Sequence, residues 1–411
     1  MERWQTIPLG NLCDLVGGGT PSKSHKAFYE GDIPWATVRD MRQDVITTTE
    51  FRITQEAVAS STTNIIPAGN VVIATRVGLG KVCFVGQDTA INQDLRGVIP
   101  KDKKQLNVRF LYWWLKSIAR KIEHAGTGAT VQGVKLQFIQ SLAMPVLPLP
   151  EQKRIVAILD EAFSGIDAAM ANTEKNLANA RELFESYLNA IFNQAGAGWE
   201  EQSLAQVCQI NPQKKEVKSK LDDNTLVSFV PMEQLGLYSK VIGLEIAKPL
   251  GKVYGSYTYF AENDVLLAKI TPCFENGKLG IARGLSNGVG FGSSEFIVFR
   301  CKDCIIPDYL FYFLSNSTLR KSGARVMTGA VGHKRIPMDF IESYKLPIPT
   351  IPEQKRIVAQ LDELSAASKR LEALYKQKQK ALEELKQALL HKAFSGDLTA
   401  QPEPLEQITT A

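Results

Sequence analysis

One segment of eleven residues occurs twice in this chain of 411 residues. Pro150–Asp160 recurs as Pro352–Asp362, 202 residues later, and only Ile158 differs from its counterpart, Gln360. The two copies stay in register beyond this segment, because Leu188 and Phe192 fall on Leu390 and Phe394. A repeat of this length predicts one structural unit that is written twice along the chain.

Fainter matches connect the stretches that precede each copy. Trp4, Leu9 and Cys13 match Trp199, Leu204 and Cys208 at an offset of 195, and Thr127-Gly128-Ala129 matches Thr328-Gly329-Ala330 at 201. The offset grows along the chain, so the second unit carries extra loop residues. The predicted organisation is a globular domain (1–149), a helix (150–195), a second globular domain (196–350), a second helix (351–398) and a tail (399–411).

The repeated segments have the pattern of long helices. Each follows a proline-rich lead, and proline fits the first helical turn, where its missing N–H is not needed. In the second copy a series of residues is spaced by four and three as in a heptad repeat, with the polar Ser368 and Lys378 as two interruptions: Ile357, Leu361, Leu364, Ser368, Leu371, Tyr375, Lys378, Leu382, Leu385 and Leu389. About 40 residues at 1.5 Å each give a rod of roughly 60 Å. Since one chain holds both helices, we expect them to pair as an antiparallel coiled coil. Gly196-Ala197-Gly198 would close the first helix.

The two globular domains are predicted to be α+β, each with a twisted β-sheet and helices. Short β-type runs at 71–74, 82–85 and 95–99 precede a helical pattern over 107–122. In the second domain the runs are 226–230, 265–270 and 296–300, followed by a helix from about 307 to 320. The fold class is therefore two similar α+β domains separated by two long helices.

Motifs for catalysis are incomplete in this sequence. Gly17–Ser24 is similar to a phosphate-binding loop, but Ser22 replaces a required glycine and Pro21 intrudes. Gly78-Leu79-Gly80 lacks the third glycine of a dinucleotide loop, and Cys301 and Cys304 have no second ligand pair for zinc. We therefore predict a binding protein that is not an enzyme by itself, with no metal and no cofactor of its own.

The cellular setting follows from what the sequence lacks. No stretch approaches 18 uninterrupted apolar residues, and the start has no apolar signal core. Six scattered cysteines are typical of a reducing compartment. We expect a cytoplasmic protein that has no membrane partner.

The net charge of +5 is unevenly distributed. Residues 1–150 carry +5 and residues 199–350 carry +3, whereas the two helical segments carry −3 and 0. Two positive domains held apart by a rod suit a long polyanion that is contacted at two places. An ordinary fluctuation of surface charge is the alternative.

Polar and basic side chains at strand ends and in a glycine-rich loop are the candidate DNA contacts. Arg and Lys can donate to guanine edges, Gln to adenine, and all of them to phosphate. The first domain supplies Arg39, Arg42, Thr75, Arg76, Lys81, Thr127, Thr130, Gln132 and Lys135, and the second supplies Lys269, Lys278, Arg283, Arg325, Thr328, His333, Lys334 and Arg335.

The whole layout resembles the specificity subunit of type I restriction-modification systems. The resemblance rests on the duplicated Pro-Glu-Gln-Lys-Arg-Ile-Val, on the ending Leu389–Leu398, and on Gly19–Ser22 with Ile33-Pro34-Trp35. It implies two target recognition domains, each of which reads one half of a split sequence in double-stranded DNA. It also implies that the helices set the distance between the half-sites.

The same resemblance implies the partners. Two methyltransferase (modification) subunits would bind S-adenosylmethionine and methylate adenine, and restriction/translocase subunits would use ATP and Mg. The helix starts are the expected partner-binding residues, namely Glu151, Gln152, Arg154, Ile155, Glu353, Gln354, Arg356 and Ile357. A non-catalytic coiled-coil scaffold and an orphan specificity chain without a restriction partner remain the alternatives.

Overall fold

The computed structural model describes residues 4–127, 133–193, 199–237, 239–330 and 332–399. The chain divides into two compact units: unit 1 holds Met1–Thr173 and Gln377–Ala411, and unit 2 holds Glu174–Lys376. These units are cut within the long helices, whereas the domains predicted from the sequence end where those helices begin. Thr130, Gln132, Gly196–Gly198 and most of the predicted tail lie outside the described residues.

The described residues of unit 1 form three sheets. The largest has five strands in the spatial order Cys13–Gly17, Leu95–Pro100, Val71–Ala74, Val82–Val85 and Val45–Ile46. A four-stranded sheet has the order Phe51–Ile53, Ile33–Ala36, Thr89–Ile91 and Asn64–Ile66, and its middle pair is parallel. Thr6–Pro8 pairs with Ala143–Pro145. The short helices of unit 1 are Leu9–Leu12, Gln55–Ala59, Val108–Ser117, Ala119–His124 and Leu136–Ser141, with 3₁₀ turns at Lys26–Tyr29 and Val38–Asp40.

Unit 2 repeats this arrangement. Its first sheet has the order Cys208–Ile210, Phe296–Cys301, Val265–Ala268 and Leu279–Ile281, and its second has Ala247–Pro249, Leu226–Val230, Val289–Gly292 and Thr258–Ala261, again with a parallel middle pair. Glu200–Ser203 pairs with Lys345–Ile348. The short helices are Leu204–Val207, Lys215–Lys218, Leu250–Val253, Pro307–Leu314, Ser317–Val326 and Met338–Ser343, with 3₁₀ turns at Met232–Gln234 and Ser286–Gly288. The matching strand orders confirm that the sequence repeat is a repeat of one fold.

The two long helices are Leu149–Asn193 and Ile351–Ser395. In unit 1, Lys386 of the second helix forms an ion pair with Asp167 of the first. In unit 2, Arg181 pairs with Glu372 over 3.0 Å. Residue numbers fall along one helix as they rise along the other, which is the order of an antiparallel pair. The prediction of an antiparallel coiled coil is confirmed.

Each domain packs its core against parts of both long helices within its own unit. In unit 1, Phe110 and Trp114 share a buried cluster with Ile155 and Leu159 of the first helix and with Leu390 of the second. In unit 2, the corresponding cluster joins core aromatics to both helices, and its members include Phe299, Tyr309, Leu188, Ile357 and Leu361. The apolar stripe of each helix is therefore covered by a domain core over part of its length.

The helix that follows the central strands is broken in both units, whereas the sequence predicted one continuous helix. In unit 2 the break falls at Asn316, whose side chain accepts a hydrogen bond from the amide of Thr318 over 2.6 Å. Asparagine is a preferred N-cap because its side chain satisfies an amide that has no partner within the helix. In unit 1 the first of the two helices ends at Ser117, whose hydroxyl donates to the carbonyl of Trp114 over 2.7 Å. Apolar periodicity continues across both breaks, so the sequence pattern did not reveal them.

Candidate nucleic-acid interface

A loop in unit 1 returns to the end of the strand Val71–Ala74. Thr127 and Gly133 exchange backbone hydrogen bonds of 3.0 Å, and the next amide, of Val134, donates to the carbonyl of Thr75 over 2.9 Å. We call residues 127–133 the first return loop. Gly133 bridges Arg76 on one side and Thr127 on the other, so these two predicted contact residues and Thr75 lie around one strand end.

Unit 2 contains the same construction. Thr328 and Arg335 exchange backbone hydrogen bonds of 3.0 and 2.8 Å, and the amide of Ile336 donates to the carbonyl of Lys269 over 3.0 Å. We call residues 328–335 the second return loop. It gathers Lys269, Thr328 and Arg335 together with His333 and Lys334, whose side chains are exposed. Two loops that were matched only by a faint sequence repeat therefore occupy equivalent places in the fold.

An acidic residue faces the cations at each strand end. The amide of Thr75 donates to the carbonyl of Asp94, and the carboxylate of Asp94 lies 3.8 Å from Arg76. In unit 2, Glu295 takes this place, and the Arg335 guanidinium binds its carboxylate through two nitrogens at 2.6 and 3.0 Å. The hydrogen bonds from Arg335 hold the pKa of Glu295 below its usual value. The ion pair with Glu295 therefore holds the Arg335 side chain in place, whereas the longer contact with Asp94 holds Arg76 more weakly.

The other predicted residues of unit 1 lie on neighbouring turns. The turn that carries Lys81 packs against the 3₁₀ turn that carries Arg39. The contact is close at Gly78, where a Cβ would lie 2.8 Å from Cγ1 of Val38. The side chain of Arg39 is exposed and lies 3.7 Å from Glu50. Arg42 is exposed and donates to the carbonyl of Arg39 over 3.0 Å. The Lys135 side chain is exposed at the start of Leu136–Ser141.

Three further predicted contacts, besides those described above, have partners within the chain. The Thr75 side chain is buried, and its hydroxyl donates to the carbonyl of Asp94 over 3.3 Å. Lys278 donates to the carbonyl of Met232 over 2.7 Å. Arg283 forms a two-pronged ion pair with Asp308. Arg325 is exposed in the last turn of its helix.

The predicted partner-binding residues separate into two groups. Gln152, Ile155, Gln354 and Ile357 are buried within their own units, so they present no surface to a partner, and the prediction does not fit them. The remaining four lie on the helix surface as two pairs, Arg154 with Glu151 at 3.7 Å and Arg356 with Glu353 at 2.6 Å. For this second group partner binding stays a prediction.

The two buried glutamines fasten each long helix to its own domain. Gln354 donates to the carbonyls of Cys304 and Pro349 over 2.8 and 2.9 Å and accepts from the amide of Ile306 over 3.0 Å. Gln152 makes the same set of bonds in unit 1, where it donates to two carbonyls over 2.7 and 2.8 Å and accepts one amide over 2.9 Å. The repeated glutamine therefore has a structural role in each unit, where it connects the long helix to the domain.

Two similar α+β domains with equivalent polar loops, joined by an antiparallel helix pair, define a duplicated binding protein. The family model described as the type I restriction modification DNA specificity domain matches residues 1–178 and again residues 197–384. The chain therefore belongs to this family, and each match includes one domain.

Relatives with known names agree with this assignment. The chain is 40% identical over 179 residues to the EcoAI specificity subunit of a type I restriction enzyme of Escherichia coli, which covers 43% of this chain and 29% of that protein. It is 22% identical over 432 residues to the EcoKI specificity subunit of Escherichia coli strain K12, covering 97% and 90% of the two chains. The chain thus spans less than a third of the length of the EcoAI relative.

Solved structures share the fold at low sequence identity. A chain from work on complex assembly and conformational transition of the type I R-M system superposes with a TM-score of 0.74 at 19% identity, covering 97% of this chain and 99% of that one. The HsdS subunit from Thermoanaerobacter tengcongensis gives a TM-score of 0.59 at 20% identity, covering 97% and 98%. Among the residues that the structure describes, none of the helices is long and apolar enough to cross a membrane.

Proposed function

We propose that this chain is the specificity subunit of a type I restriction-modification complex and that it recognises a bipartite sequence in duplex DNA. Each domain reads one half-site through its return loop and the adjacent strand end. The observation that carries this proposal is the same polar loop, closed by the same backbone hydrogen bonds, in both units. Family membership supplies the class of ligand.

The chemistry of the loops fits a reader of DNA. Threonine hydroxyls and lysine or arginine side chains at loop tips can bond to base edges, while exposed cations bind phosphate. Arg76 at the end of its strand in unit 1 and Lys334 in the second return loop are both exposed, and both domains carry a positive net charge. Because the two loops differ in sequence, the two half-sites should differ as well.

The chemical steps belong to the partners in this proposal. Two methyltransferase subunits bind S-adenosylmethionine and modify adenine, and restriction subunits use ATP and Mg to translocate and cut DNA. The assembly acts in the cytoplasm, where the DNA is. This chain contributes recognition and the frame on which the partners dock.

The docking surface that we propose for the methyltransferase is on the long helices. Leu183 and Tyr187 of the first helix and Leu371 and Leu374 of the second are large apolar residues with exposed side chains in unit 2, and Leu183 and Leu374 are 61% and 57% exposed. Exposed apolar patches on soluble proteins mark interaction sites. The surface pairs Glu151–Arg154 and Glu353–Arg356 would add polar contacts.

Co-expression with a type I methyltransferase subunit, followed by co-purification and sequencing of methylated adenines in DNA, tests the proposal. We expect a stable complex and a single bipartite methylated motif. Arg76→Ala should alter the half of the motif read by unit 1 and leave the other half as it is, and Lys334→Ala should do the reverse. Loss of both halves together in both variants would contradict the assignment of one half-site to each domain.

Docking is tested separately with Leu183→Asp and Leu374→Asp, which place a charge on the proposed apolar surface. We expect both variants to fold and to lose co-purification with the methyltransferase. Lys376→Ala is the matched control, because it lies about 200° around the helix from Leu374. Full retention of the partner by both aspartate variants would overturn this surface as the docking site. A scaffold without a recognition role would give a complex but no sequence-specific methylation.

A further inference from the structure

Unit 2 contains a second basic surface, of which the sequence analysis named only Lys269. It is a cleft of about 790 Å³ whose lining includes Lys214, Lys215, Lys269, Tyr254 and Tyr257. We call it the lysine–tyrosine cleft. The described residues that line it include three lysines and no carboxylate. The lysines at 214 and 215 and the tyrosines are about 40 positions apart in the sequence, so only the fold brings them together.

Cations are concentrated on one aromatic ring of the cleft. Lys214 donates to the carbonyls of Tyr254 and Gly255 over 2.6 and 3.1 Å, and its Nζ lies 5.0 Å from the centre of the Tyr254 ring. The Nζ of Lys218 lies 4.7 Å from the same ring centre. Two ammonium groups held near one ring repel each other, and this repulsion is relieved when an anion binds between or beside them.

The only acidic residue on the short helix of these lysines is engaged elsewhere. Glu216 binds Arg300 over 2.5 Å and accepts from the hydroxyl of Tyr259 over 2.8 Å. Lys215 and Lys218 are exposed and form no ion pair within the described part of the chain. The charges of Lys215 and Lys218 are therefore not neutralised by an ion pair within the described residues, whereas Lys269 interacts electrostatically with Glu295.

The cleft is continuous with the second return loop. Lys269 lines the cleft, and its carbonyl accepts the amide of Ile336, the residue directly after the loop. Ser294 also lines it and precedes Glu295, which holds Arg335. A strand of DNA that meets the loop can therefore continue over the cleft without leaving the surface of unit 2.

From these contacts we propose that the lysine–tyrosine cleft binds the phosphate backbone of duplex DNA beside the half-site of unit 2. The inference rests on the proposed function and assigns to the cleft a positioning role rather than base reading. Lys215 in the cleft and Lys218, which lies near the Tyr254 ring, neutralise phosphates, and the tyrosine rings contact the sugars. Such contacts strengthen binding to any sequence and make it sensitive to salt.

The two adjacent lysines of the cleft have no lysine at the aligned positions of unit 1. At the offset that aligns Cys13 with Cys208, the positions of Lys214 and Lys215 are taken by Gly19 and Thr20. A Cβ on Gly19 would lie 2.4 Å from Oγ1 of Thr62, so a lysine side chain does not fit there. The lysines at 214 and 215 are therefore particular to unit 2, whereas Lys218 aligns with Lys23 of unit 1.

The test measures binding of the full-length chain, in complex with its methyltransferase, to a labelled DNA duplex of random sequence over a range of salt concentrations. We expect Lys215→Ala and Lys218→Ala each to weaken binding and to reduce the slope of log affinity against log salt by about 0.9 for each lost phosphate contact. Lys215→Arg should restore the slope, because it restores the charge. Lys345→Ala, which removes an exposed lysine of unit 2 outside the cleft, should leave the slope unchanged.

Each outcome decides one question. A wild-type complex that binds no duplex DNA overturns the proposed function itself. Wild-type binding with an unchanged slope in both cleft variants overturns the cleft proposal alone. The same measurements are made with a labelled RNA duplex of equal length. If RNA binds more tightly than DNA and the cleft variants weaken its binding equally, the ligand is RNA and the DNA assignment is wrong.

Discussion

Gln354 donates a hydrogen bond to the backbone carbonyl of Cys304 over 2.8 Å and so connects the second long helix to the loop that enters the core of unit 2. Gln152 makes the equivalent connection in unit 1. Both side chains are almost fully buried. The repeated Glu-Gln-Lys-Arg segment is therefore a fastening between helix and domain in each half of the protein.

Replacing Gln354 by alanine should lower the free energy of unfolding by about 2 kcal/mol, because it leaves the amide of Ile306 and the carbonyl of Cys304 without partners. Urea unfolding followed by circular dichroism measures the change. Lys355→Ala is the matched control, since this neighbour is exposed and should cost less than about 0.5 kcal/mol. Equal stabilities for the two variants would show that the fastening contributes nothing.

The ion pair of Glu295 with Arg335 should make the free energy of unfolding depend on pH in the acidic range. Hydrogen bonds from Arg335 lower the pKa of Glu295 in the folded state, so the pair stabilises the protein above the unfolded carboxyl pKa of about 4.3. This stabilisation is lost as the pH falls through the lower, folded pKa. Because Arg335 is half exposed, solvent screens the ion pair, and Glu295→Gln should lower the stability only slightly at pH 7. Urea unfolding at a series of pH values should show the wild type and the variant converging in acid, and a difference that grows in acid would contradict the assignment.

Although Glu295→Gln should lower the stability of the protein, it should strengthen binding to DNA. Glu295→Gln removes the carboxylate that tethers Arg335 and makes its guanidinium available to phosphate. We expect tighter binding to random-sequence duplex and a steeper salt dependence, measured by fluorescence anisotropy. Weaker binding would mean that Arg335 contacts DNA only while Glu295 holds its orientation.

Cys208 and Cys301 face each other across two antiparallel strands of unit 2. The amide of Lys302 donates to the carbonyl of Val207 on one side of this pair, so the cysteines occupy a non-hydrogen-bonded position with Cα atoms about 4.5 Å apart. That separation lies within the range that a disulfide spans. The corresponding position in unit 1 pairs Cys13 with Pro100.

Mild oxidation with diamide should therefore link Cys208 to Cys301 and leave Cys13 as a thiol, as peptide mapping under non-reducing conditions would show. The reaction should be slow at neutral pH, because a hydrogen bond with Cys208 and burial raise the pKa of Cys301, and burial raises the pKa of Cys13 to about 12. A link between Cys301 and Cys304 in place of Cys208 would contradict the strand register.

Lengthening both long helices by one heptad should change the spacing of the DNA target. Seven residues add about 10 Å to each helix, which corresponds to about three base pairs. We expect a longer non-specific gap between unchanged half-sites, read by sequencing methylated DNA. An unchanged gap would rule out the helices as the element that sets the spacing.

Much of the fold could be predicted from the sequence because the signals are local or repeated. The heptad spacing of Ile357 and Leu361 predicts a long helix, and the strand runs at 71–74 and 82–85 are found where predicted. The break at Asn316 was missed, because a cap competes with an apolar pattern that continues through it. Capping is decided by one side chain, whereas periodicity averages over many.

The candidate site was predictable in outline only. The return loops were located by the match of Thr127 with Thr328, and the structure places both at strand ends. Which cations are free was not predictable, since Arg335 and Arg283 pair with acids that lie 40 and 25 residues away in the sequence. The cleft of Lys214 and Tyr254 was missed for the same reason.

The sequence by itself determined that this protein is one unit present twice and that its halves alternate with long helices, because duplication and periodicity are properties of the order of residues. Its motifs also resemble those of DNA specificity subunits. Only the tertiary structure decided that Gln152 and Gln354 face inward, that Arg335 is tethered, and that the lysines of unit 2 form a cleft. Burial and charge pairing depend on distances between residues far apart in the chain, and those distances exist only once the chain has folded.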